Sequence, residues 1–372
     1  MADAQDLKAM YRTQTLGDFP DTIEVIGRAY TKVEDLRYGT NPHQPAAFYR
    51  PADGNAVLGA YKILKTGKSG LSQTNLEDIH HALGILKFLD RTACAVMKHC
   101  NPSGVAIRTG DQSLKTVYQC ARDADPQAAF GCVTAFNTEV DHDTADEIMQ
   151  TIVEGVAAPG YTPEALAAFN DNDKYKRNKA IRIVQLPDLS TLPKYIDDTP
   201  SAYELKIFDD GSLIMATPYL SRLKSTADLV PAYNEHKKHG RIDIDRQPTP
   251  QELDDLLFAW YTNIHVRSNG VVIAKNGQTL AVGTGEQDRV GAVEQAIRKA
   301  THKYKGAETL QGAVMSSDGF FPFRDAVQAA TNHGITAIVQ PGGSINDYDA
   351  IAACNESNTA MVFSMERCFS HH

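Results

Sequence analysis

Short apolar runs of strand length alternate with amphipathic helical segments along most of the chain, and this alternation constrains the fold more than any other feature. Residues 93–97, for example, are predicted to form a buried strand, and residues 114–122 a helix. Elements in this order bury their apolar faces when the helices cover a sheet. Because the pattern recurs in both halves, we predict an α/β protein built from two layered units.

A polar stretch separates the two halves. Residues 171–200 are rich in Asp, Asn and Lys and contain three prolines, a composition typical of a linker or interdomain region. We therefore expect a first unit over residues 1–200 and a second unit over residues 201–372.

Three local patterns predict individual elements. The spacing of leucine and isoleucine predicts a helix over 76–89 that is capped by Thr74 or Asn75. An apolar stripe ending at Val156 predicts a helix over 143–156. Asn276-Gly277, which lies between two apolar runs, predicts a tight β-hairpin.

Composition and charge exclude several classes of function. The 372 residues include 37 Lys+Arg and 46 Asp+Glu, and the net charge of −9 without a basic stripe argues against binding to nucleic acid or an anionic membrane. An anionic small molecule would therefore be held by a few well-placed arginines. The six cysteines lack Cys-x-x-Cys spacing, and neither a signal peptide nor an apolar run of about 20 residues is present, so we expect a soluble cytoplasmic protein with reduced thiols.

The strand over 93–97 ends in a group of residues suited to chemistry. Lys98 and His99 follow it directly, and Asn101-Pro102 is a turn signal that is expected to stop the strand. A cation and an imidazole then lie at the end of a strand, where open α/β sheets bind their ligands. The alternative is a solvated Lys-His pair on an ordinary loop.

Six motifs in order give these residues a context: RYGTNPHQ, LSQTNLED, VMKHCNPSGVA, AAFGCVTAFN, RSNGVVIAKNGQTLAVGTGEQDRV and SSDGFFPFRDAV. Together they resemble the formyltransferase half of the bifunctional purine-biosynthesis enzymes. That half formylates AICAR (aminoimidazole carboxamide ribonucleotide) with 10-formyltetrahydrofolate as the donor. The resemblance implies two tandem cytidine-deaminase-like α/β/α units and a homodimer with sites at the subunit interface.

The resemblance also carries expectations about the rest of the enzyme. About 35 residues precede RYGTNPHQ, too few for the cyclohydrolase domain, so we expect a stand-alone formyltransferase whose product is cyclised by another protein. The zinc-deaminase signatures His-x-Glu and Pro-Cys-x-x-Cys do not occur, so no catalytic zinc is expected. Some family members bind potassium near the C-terminus, and nothing in this sequence decides whether this chain does so.

Three residues receive catalytic roles from the resemblance. The substrate amine is a weak nucleophile, and its attack on a formyl carbon needs a base such as imidazole and a positive charge beside the developing oxyanion. The resemblance makes His99 the proton acceptor and Lys98 the group that stabilises the transition state. It gives Asn269 the role of orienting the carboxamide and the histidine; a turn residue before a strand is the alternative.

Other positions match the family's ligand contacts. On the nucleotide side they are Arg37, Tyr38, Asn75, Gly131, Glu154, Arg289 and Arg367. Arg367 would come from the partner subunit, Glu154 stands where the family pattern has Asp, and Asn75 has helix capping as a rival role. On the folate side they are Val290, Phe320, Asp325, Ser344 and Ile345. Phe320 could stack on the pterin or belong to a core cluster, and any single arginine could be a solvated surface residue.

Two alternative functions remain open on the sequence alone. One keeps the AICAR site but uses a non-folate donor, such as formate with ATP. The other is a nucleotide-binding regulator without catalysis.

Overall fold

The computed structural model describes residues 13–54, 56–67 and 69–371, and it divides the chain into two compact units. The first unit ends at Leu189 and the second begins at Ser190, so the division falls within the polar stretch 171–200. Among the described residues, the helices are too short or too polar to cross a membrane.

The first unit contains a small antiparallel sheet and a larger mixed sheet. The small sheet runs in the order β1 (Thr22–Val25), β2 (Arg28–Asp35) and β3 (Ala47–Pro51). The other strands are β4 (Lys62–Lys65), β5 (Ala93–Lys98), β6 (Asn101–Ile107), β7 (Cys132–Phe136), β8 (Val153–Ala158) and β9 (Arg182–Gln185). Their order is β6-β5-β7-β8-β9-β4, with parallel pairing between β7, β8 and β9 and antiparallel pairing elsewhere.

Helices pack against this larger sheet. They are α1 (Gln73–Leu86), α2 (Leu114–Asp123), α3 (His142–Met149) and α4 (Pro163–Asn170). Helix α1 contacts β5 and β7, whereas α2, α3 and α4 bury their apolar side chains in one core cluster with the same strands. Strand β5 is therefore buried along its length until Lys98.

The second unit begins with short strands and continues as a mixed sheet. The strands are β10 (Glu204–Ile207), β11 (Leu213–Ala216), β12 (Val230–Pro231), β13 (Tyr233–His236), β14 (Gly240–Asp243), β15 (Val271–Lys275), β16 (Gln278–Gly283), β17 (Ala313–Ser317), β18 (Ile335–Gln340) and β19 (Ala360–Phe363). The helices are α5 (Pro250–Asn263), α6 (Arg289–His302), α7 (Arg324–Thr331) and α8 (Asp347–Glu356). The main strands run in the order β12-β19-β18-β17-β15-β16, whereas β10–β11 and β13–β14 are separate antiparallel pairs.

The two units repeat one order of elements. The first reads α1-β5-β6-α2-β7-α3-β8-α4-β9, and the second reads α5-β15-β16-α6-β17-α7-β18-α8-β19. In each, a helix precedes a β-hairpin, and three helix–strand steps follow. The predicted α/β class is confirmed, while the cytidine-deaminase-like assignment of the units stays a prediction.

A glycine on the second strand of each hairpin lets the following helix lie close to that strand. A Cβ on Gly104 would lie 2.0 Å from the carbonyl oxygen of Ala121, and a Cβ on Gly283 would lie 2.2 Å from that of Ala292. Real Cβ atoms do not approach backbone oxygens this closely, so both positions require glycine. The small residue fixes how α2 and α6 pack on their strands.

One of these element predictions was wrong, and another is confirmed. The predicted helix over 143–156 ends at Met149, and Val153–Ala158 is instead a buried parallel strand. Two β-branched valines with Gly155 between them favour a strand, and pairing with β7 and β9 buries it. The predicted hairpin at Asn276-Gly277 is confirmed, since both residues have positive φ angles, 51° and 72°, between paired strands.

The N-terminus of α1 also differs from the prediction. The cap is Ser72, whose hydroxyl accepts a hydrogen bond of 3.3 Å from the backbone amide of Asn75. Neither Thr74 nor Asn75 is therefore the cap residue itself. The Asn75 side chain completes the capping box by accepting the Ser72 amide at 3.2 Å.

Candidate active site

The predicted catalytic pair lies at the tip of the β5–β6 hairpin. Lys98 pairs with Asn101, which leaves His99 and Cys100 as a two-residue turn with φ angles of 54° and 64°. Two left-handed residues are typical of a type I′ turn, and each costs a non-glycine residue about 1–2 kcal/mol. The expected turn at Asn101-Pro102 was wrong, because these two residues already begin β6.

The turn separates the environments of the two side chains. His99 is exposed to solvent, while its carbonyl oxygen accepts a hydrogen bond of 3.1 Å from the Asn101 side chain. Lys98 is half-buried, and its ammonium donates to the carbonyl oxygen of Gly131. Gly131 has a φ of 69°, and a Cβ there would stand 3.1 Å from the Lys98 nitrogen. The lysine therefore lies against the loop that enters β7.

Four of the predicted ligand and catalytic residues meet in this part of the first unit. The side-chain nitrogen of Asn75 donates a hydrogen bond of 3.1 Å to Glu154 Oε2, and a Cβ on Gly131 would lie 3.8 Å from Glu154 Oε1. Asn75, Lys98, Gly131 and Glu154 thus line one polar cluster. The oxygen of the Asn75 side chain takes part in the helix cap and its nitrogen binds Glu154, while the predicted contact with substrate stays a prediction.

Arg37 and Tyr38 form a second group in the same unit. The Arg37 guanidinium lies 4.5 Å from the centre of the Tyr38 ring and donates to its hydroxyl at 2.9 Å. Arg37 is 7% exposed, and its Nε has no partner among the described residues. Burial, aided by the charge of Arg37, lowers the pKa of Arg182 to about 10, while Glu154 opposes that shift. The buried cationic groups suit an anionic ligand.

Asn269 lies in the segment between α5 and β15 in the second unit. The Ser268–Asn269 peptide bond is cis, and both the backbone and the side-chain nitrogen of Asn269 donate to the carbonyl oxygen of Glu286, at 3.2 and 2.9 Å. A Cβ on Gly270 would lie 2.4 Å from the Asn263 side chain. The segment is therefore tightly held on both sides of Asn269.

Asp318 connects this segment with Arg289. Its carboxylate is fully buried, forms an ion pair with the Arg289 guanidinium, and accepts hydrogen bonds from the Ser268 hydroxyl at 2.5 Å and the Gly270 amide at 2.8 Å. Asp318 was not among the predicted site residues. The SSDGFFPFRDAV motif contains Asp318, but nothing in the sequence indicates that its carboxylate is buried beside an arginine.

Three predicted ligand residues of the second unit line one cavity of about 310 Å³. They are Arg289, Phe320 and Arg367, which the cavity shares with Gly319, Pro341, Gly342, Met365, Glu366 and Phe369. The guanidinium of Arg367 lies 4.7 Å from the centre of the Phe369 ring, and that of Arg289 lies 5.8 Å from it. The combination of two cations and aromatic rings suits an anionic, planar ligand.

Of the positions predicted to bind folate, Phe320 lines this cavity and the other four do not. Phe320 is 46% exposed whereas Phe321 is fully buried, so Phe321 is the core residue of the pair. The remaining positions are elsewhere on the second unit: Val290, Asp325, Ser344 and Ile345. Ile345 is exposed, and the loop that carries it is joined to the Phe320 segment by a hydrogen bond of 2.8 Å from Asn346 to Pro322.

Sequence reasoning missed Asp78 and Arg182 in the first unit. Both are buried polar residues, and their partners are distant in sequence: Asp78 accepts from the Cys100 amide, and Arg182 Nε donates to the Gly70 carbonyl oxygen at 2.9 Å. Asp78 lies within the LSQTNLED motif, which was the available signal. Over the described part of the chain, no group of three or more His, Cys, Asp or Glu is arranged to hold a metal ion.

The geometry defines a class of protein: a two-unit α/β protein with a lysine–histidine turn in the first unit, suited to proton transfer, and an arginine–aromatic cavity in the second, suited to an anionic ligand. The family model described as "AICARFT/IMPCHase bienzyme" matches residues 3–299. The chain therefore belongs to the AICARFT/IMPCHase bienzyme family.

Relatives agree with this assignment. The chain is 39% identical over 362 residues to the bifunctional purine biosynthesis protein PurH of Oceanobacillus iheyensis, an alignment that covers 97% of this chain and 63% of that protein. It is 39% identical over 369 residues to the PurH protein of Acetivibrio thermocellus, covering 98% and 64% of the two chains. The chain thus spans just under two thirds of the length of these curated relatives.

Proposed function

We propose that this protein transfers the formyl group of 10-formyltetrahydrofolate to the amine of AICAR, as a cytoplasmic enzyme of purine biosynthesis. The observation that carries the proposal is the turn at His99, which stands next to Lys98 and the Asn75–Gly131–Glu154 cluster. Family membership and the bifunctional purine biosynthesis relatives support the choice of reaction.

The exposed imidazole is suited to the proton transfer. As the amine nitrogen of AICAR attacks the formyl carbon, a C–N bond forms and the nitrogen becomes acidic. His99 accepts that proton, and an imidazole is a good base near neutral pH. Because His99 is at the surface of its turn, a bound substrate could reach it without displacing protein groups.

The neighbouring ammonium is suited to the charge that develops on the formyl oxygen. Lys98 is held by the Gly131 carbonyl oxygen and retains further N–H groups for an oxyanion. When the intermediate collapses, the bond from the formyl carbon to N10 of the folate breaks. The electron pair stays on N10, which takes the proton that His99 accepted from the amine, so tetrahydrofolate leaves, the imidazole is again a free base, and no covalent enzyme intermediate forms.

Binding roles follow from the remaining matched positions. We assign Tyr38, the buried Arg37 and Glu154 to AICAR in the first unit, and Asn269 to orientation of the carboxamide. Arg289 and Arg367 suit the phosphate dianion, because guanidinium groups match phosphate geometry. We assign the folate to Val290, Phe320, Asp325, Ser344 and Ile345.

We also propose a homodimer whose subunits share their sites. The family arrangement takes Arg367 from the partner subunit, and in this chain Arg289 and Phe320 line the same cavity as Arg367. If Arg367 acts in the site of a partner, then Arg289 and Phe320 enter that site with it.

An exposed ribbon supports the dimer and gives a test. All residues of β10 and β11 are exposed, including Ile207 and Ile214, which are 70% and 52% exposed. An isolated two-stranded ribbon with apolar residues on both faces is marginal in water. We expect the double variant Ile207→Lys/Ile214→Lys to sediment as a monomer while the parent chain sediments as a dimer. A parent chain that is monomeric at micromolar concentration would contradict the proposal.

A donor comparison tests the reaction itself. The purified protein is incubated with AICAR and 10-formyltetrahydrofolate, and formation of tetrahydrofolate and formylated AICAR is followed by absorbance and mass spectrometry. A second reaction contains formate and ATP without folate, and both are run with potassium or tetramethylammonium as the cation. We expect product only with the folate donor. Product from formate and ATP would indicate the alternative donor, and AICAR binding without turnover would indicate a regulator.

A further inference from the structure

The turn that carries His99 is tied to helix α1 by a carboxylate that has no role in the reaction proposed above. Oδ1 of Asp78 accepts a hydrogen bond of 2.7 Å from the backbone amide of Cys100. Asp78 is only 6% exposed, so this bond is shielded from water. A carboxylate makes a stronger hydrogen bond to an amide than a neutral acceptor does.

The second unit contains the same arrangement, in which an aspartate on a helix binds the turn of the next hairpin, but without the reactive residues. Asp255 occupies the sixth position of α5, as Asp78 does of α1, and its carboxylate accepts the amides of Asn276 and Gly277 at 2.9 and 2.8 Å. In both units a helix therefore holds the turn of the hairpin that follows it. Asn-Gly adopts left-handed φ angles more readily than His-Cys, because glycine has no steric penalty there and cysteine has no preference for that region. The turn at His99 and Cys100 consequently depends more on its aspartate.

We propose that Asp78 is a positioning residue, whose carboxylate holds the Cys100 amide and thereby fixes the backbone that presents the His99 imidazole to the substrate. This inference rests on the proposed function, in which His99 is the base. Asp78 touches no reacting atom in this scheme and acts through the turn alone.

The charge state of Asp78 matters for this role. Burial raises the pKa of Asp78 to about 6, while the Cys100 amide and the charge of Lys98 favour the ionised form. When the pH falls below that value, the carboxylate gains a proton and becomes a weaker acceptor. Titratable or charged groups face it from the adjoining elements: Glu77 on α1, Lys98 on β5, Cys100 in the turn, Cys132 on β7 and Glu154 on β8.

The raised pKa also predicts that protonation of Asp78 has opposite effects on stability and on activity. The folded protein binds this proton more tightly than the unfolded chain, so its contribution to stability falls as the pH rises through the interval from about 4 to about 6. Asp78→Asn removes the buried charge and keeps an oxygen that can accept the Cys100 amide. We therefore expect this variant to melt at the same or a higher temperature than wild type at pH 7.5.

Kinetics of three variants test the proposal. Asp78→Ala is expected to lower kcat by about 100-fold, with KM for both substrates within about threefold of wild type, because the base is misplaced and binding is kept. Below pH 6, kcat of wild type should fall more steeply with decreasing pH than kcat of Asp78→Asn, because only wild type loses a carboxylate that holds the turn. Asp255→Ala, the matched control, should keep the wild-type kcat and pH dependence.

A readout without turnover separates this inference from the proposed function. In protein labelled with 15N-cysteine, exchange of the Cys100 amide with solvent is measured in wild type and in Asp78→Ala. We expect exchange to be at least about 10-fold faster in the variant, because the buried hydrogen bond is lost. If wild type transfers no formyl group, the proposed function fails and this measurement still decides the role of Asp78. Unchanged exchange, or a folded Asp78→Ala with a wild-type kcat, would overturn the inference.

Discussion

His99→Asn is expected to reduce kcat for formyl transfer by about 10²–10⁴-fold, the range typical for loss of a positioned general base. Asparagine is chosen because it tolerates the left-handed backbone that His99 adopts, with a φ of 54°, so the turn is retained and the base is removed. The measurement is steady-state turnover with 10-formyltetrahydrofolate and AICAR at pH 7.5. Affinity for both substrates should stay close to that of wild type.

A histidine outside the predicted site provides the control. His142→Ala removes an exposed imidazole from the N-terminus of α3, beside Asp143, and should leave kcat unchanged. Added free imidazole should restore part of the activity of His99→Gly, since glycine tolerates the left-handed backbone and a small base can then occupy the vacated space. A folded His99→Asn protein that retains more than half of the wild-type kcat would remove His99 from the mechanism.

The two hairpin turns show what local sequence can and cannot predict. Asn276-Gly277 was predicted as a turn because both residues favour left-handed φ angles, and the structure confirms it. The same reasoning passed over His99-Cys100 and placed the turn at Asn101-Pro102. The His99-Cys100 turn is held by Asp78, more than 20 residues earlier in the chain, and a contact of that range has no local signature.

The strand that carries Glu154 illustrates a second limit. Apolar spacing up to Val156 fits a helix, but β8 is buried between β7 and β9, and such a strand is apolar on both faces. Periodicity alone does not separate the two cases. Glu154 was selected as a substrate contact from the family resemblance, which does not depend on the type of element. The structure places it beside Asn75, and its contact with substrate stays a prediction.

The residues of the candidate sites also fall into those that the sequence predicted and those that it did not. Motif resemblance selected Asn75, Lys98 and Gly131, which meet in the first unit, and Arg289, Phe320 and Arg367, which line one cavity in the second. It did not select the buried carboxylates that support them. A supporting carboxylate is recognised by its burial and its partners, and both are properties of the folded chain.

The second large effect is expected at Asp318, on stability. Asp318→Ala leaves the Arg289 guanidinium, which is itself buried, without its ion-pair partner, and it removes the acceptor for the Ser268 hydroxyl and the Gly270 amide. Removing one partner of a buried ion pair costs about 3–5 kcal/mol, because the remaining charge is uncompensated. Urea denaturation followed by fluorescence is a direct measure, since the single tryptophan, Trp260, is fully buried in the second unit.

Two comparisons separate the ion pair from a general loss of packing. Asp254→Ala, at an exposed position of α5, should change the free energy of unfolding by no more than about 0.5 kcal/mol. In an Arg289→Met background, Asp318→Ala should cost about 0.5–3 kcal/mol less than in wild type, because no buried cation is then left behind. If Asp318→Ala costs the same in both backgrounds, the ion pair is not what stabilises the Ser268–Gly270 segment, and the hydrogen bonds to Ser268 and Gly270 must account for the loss.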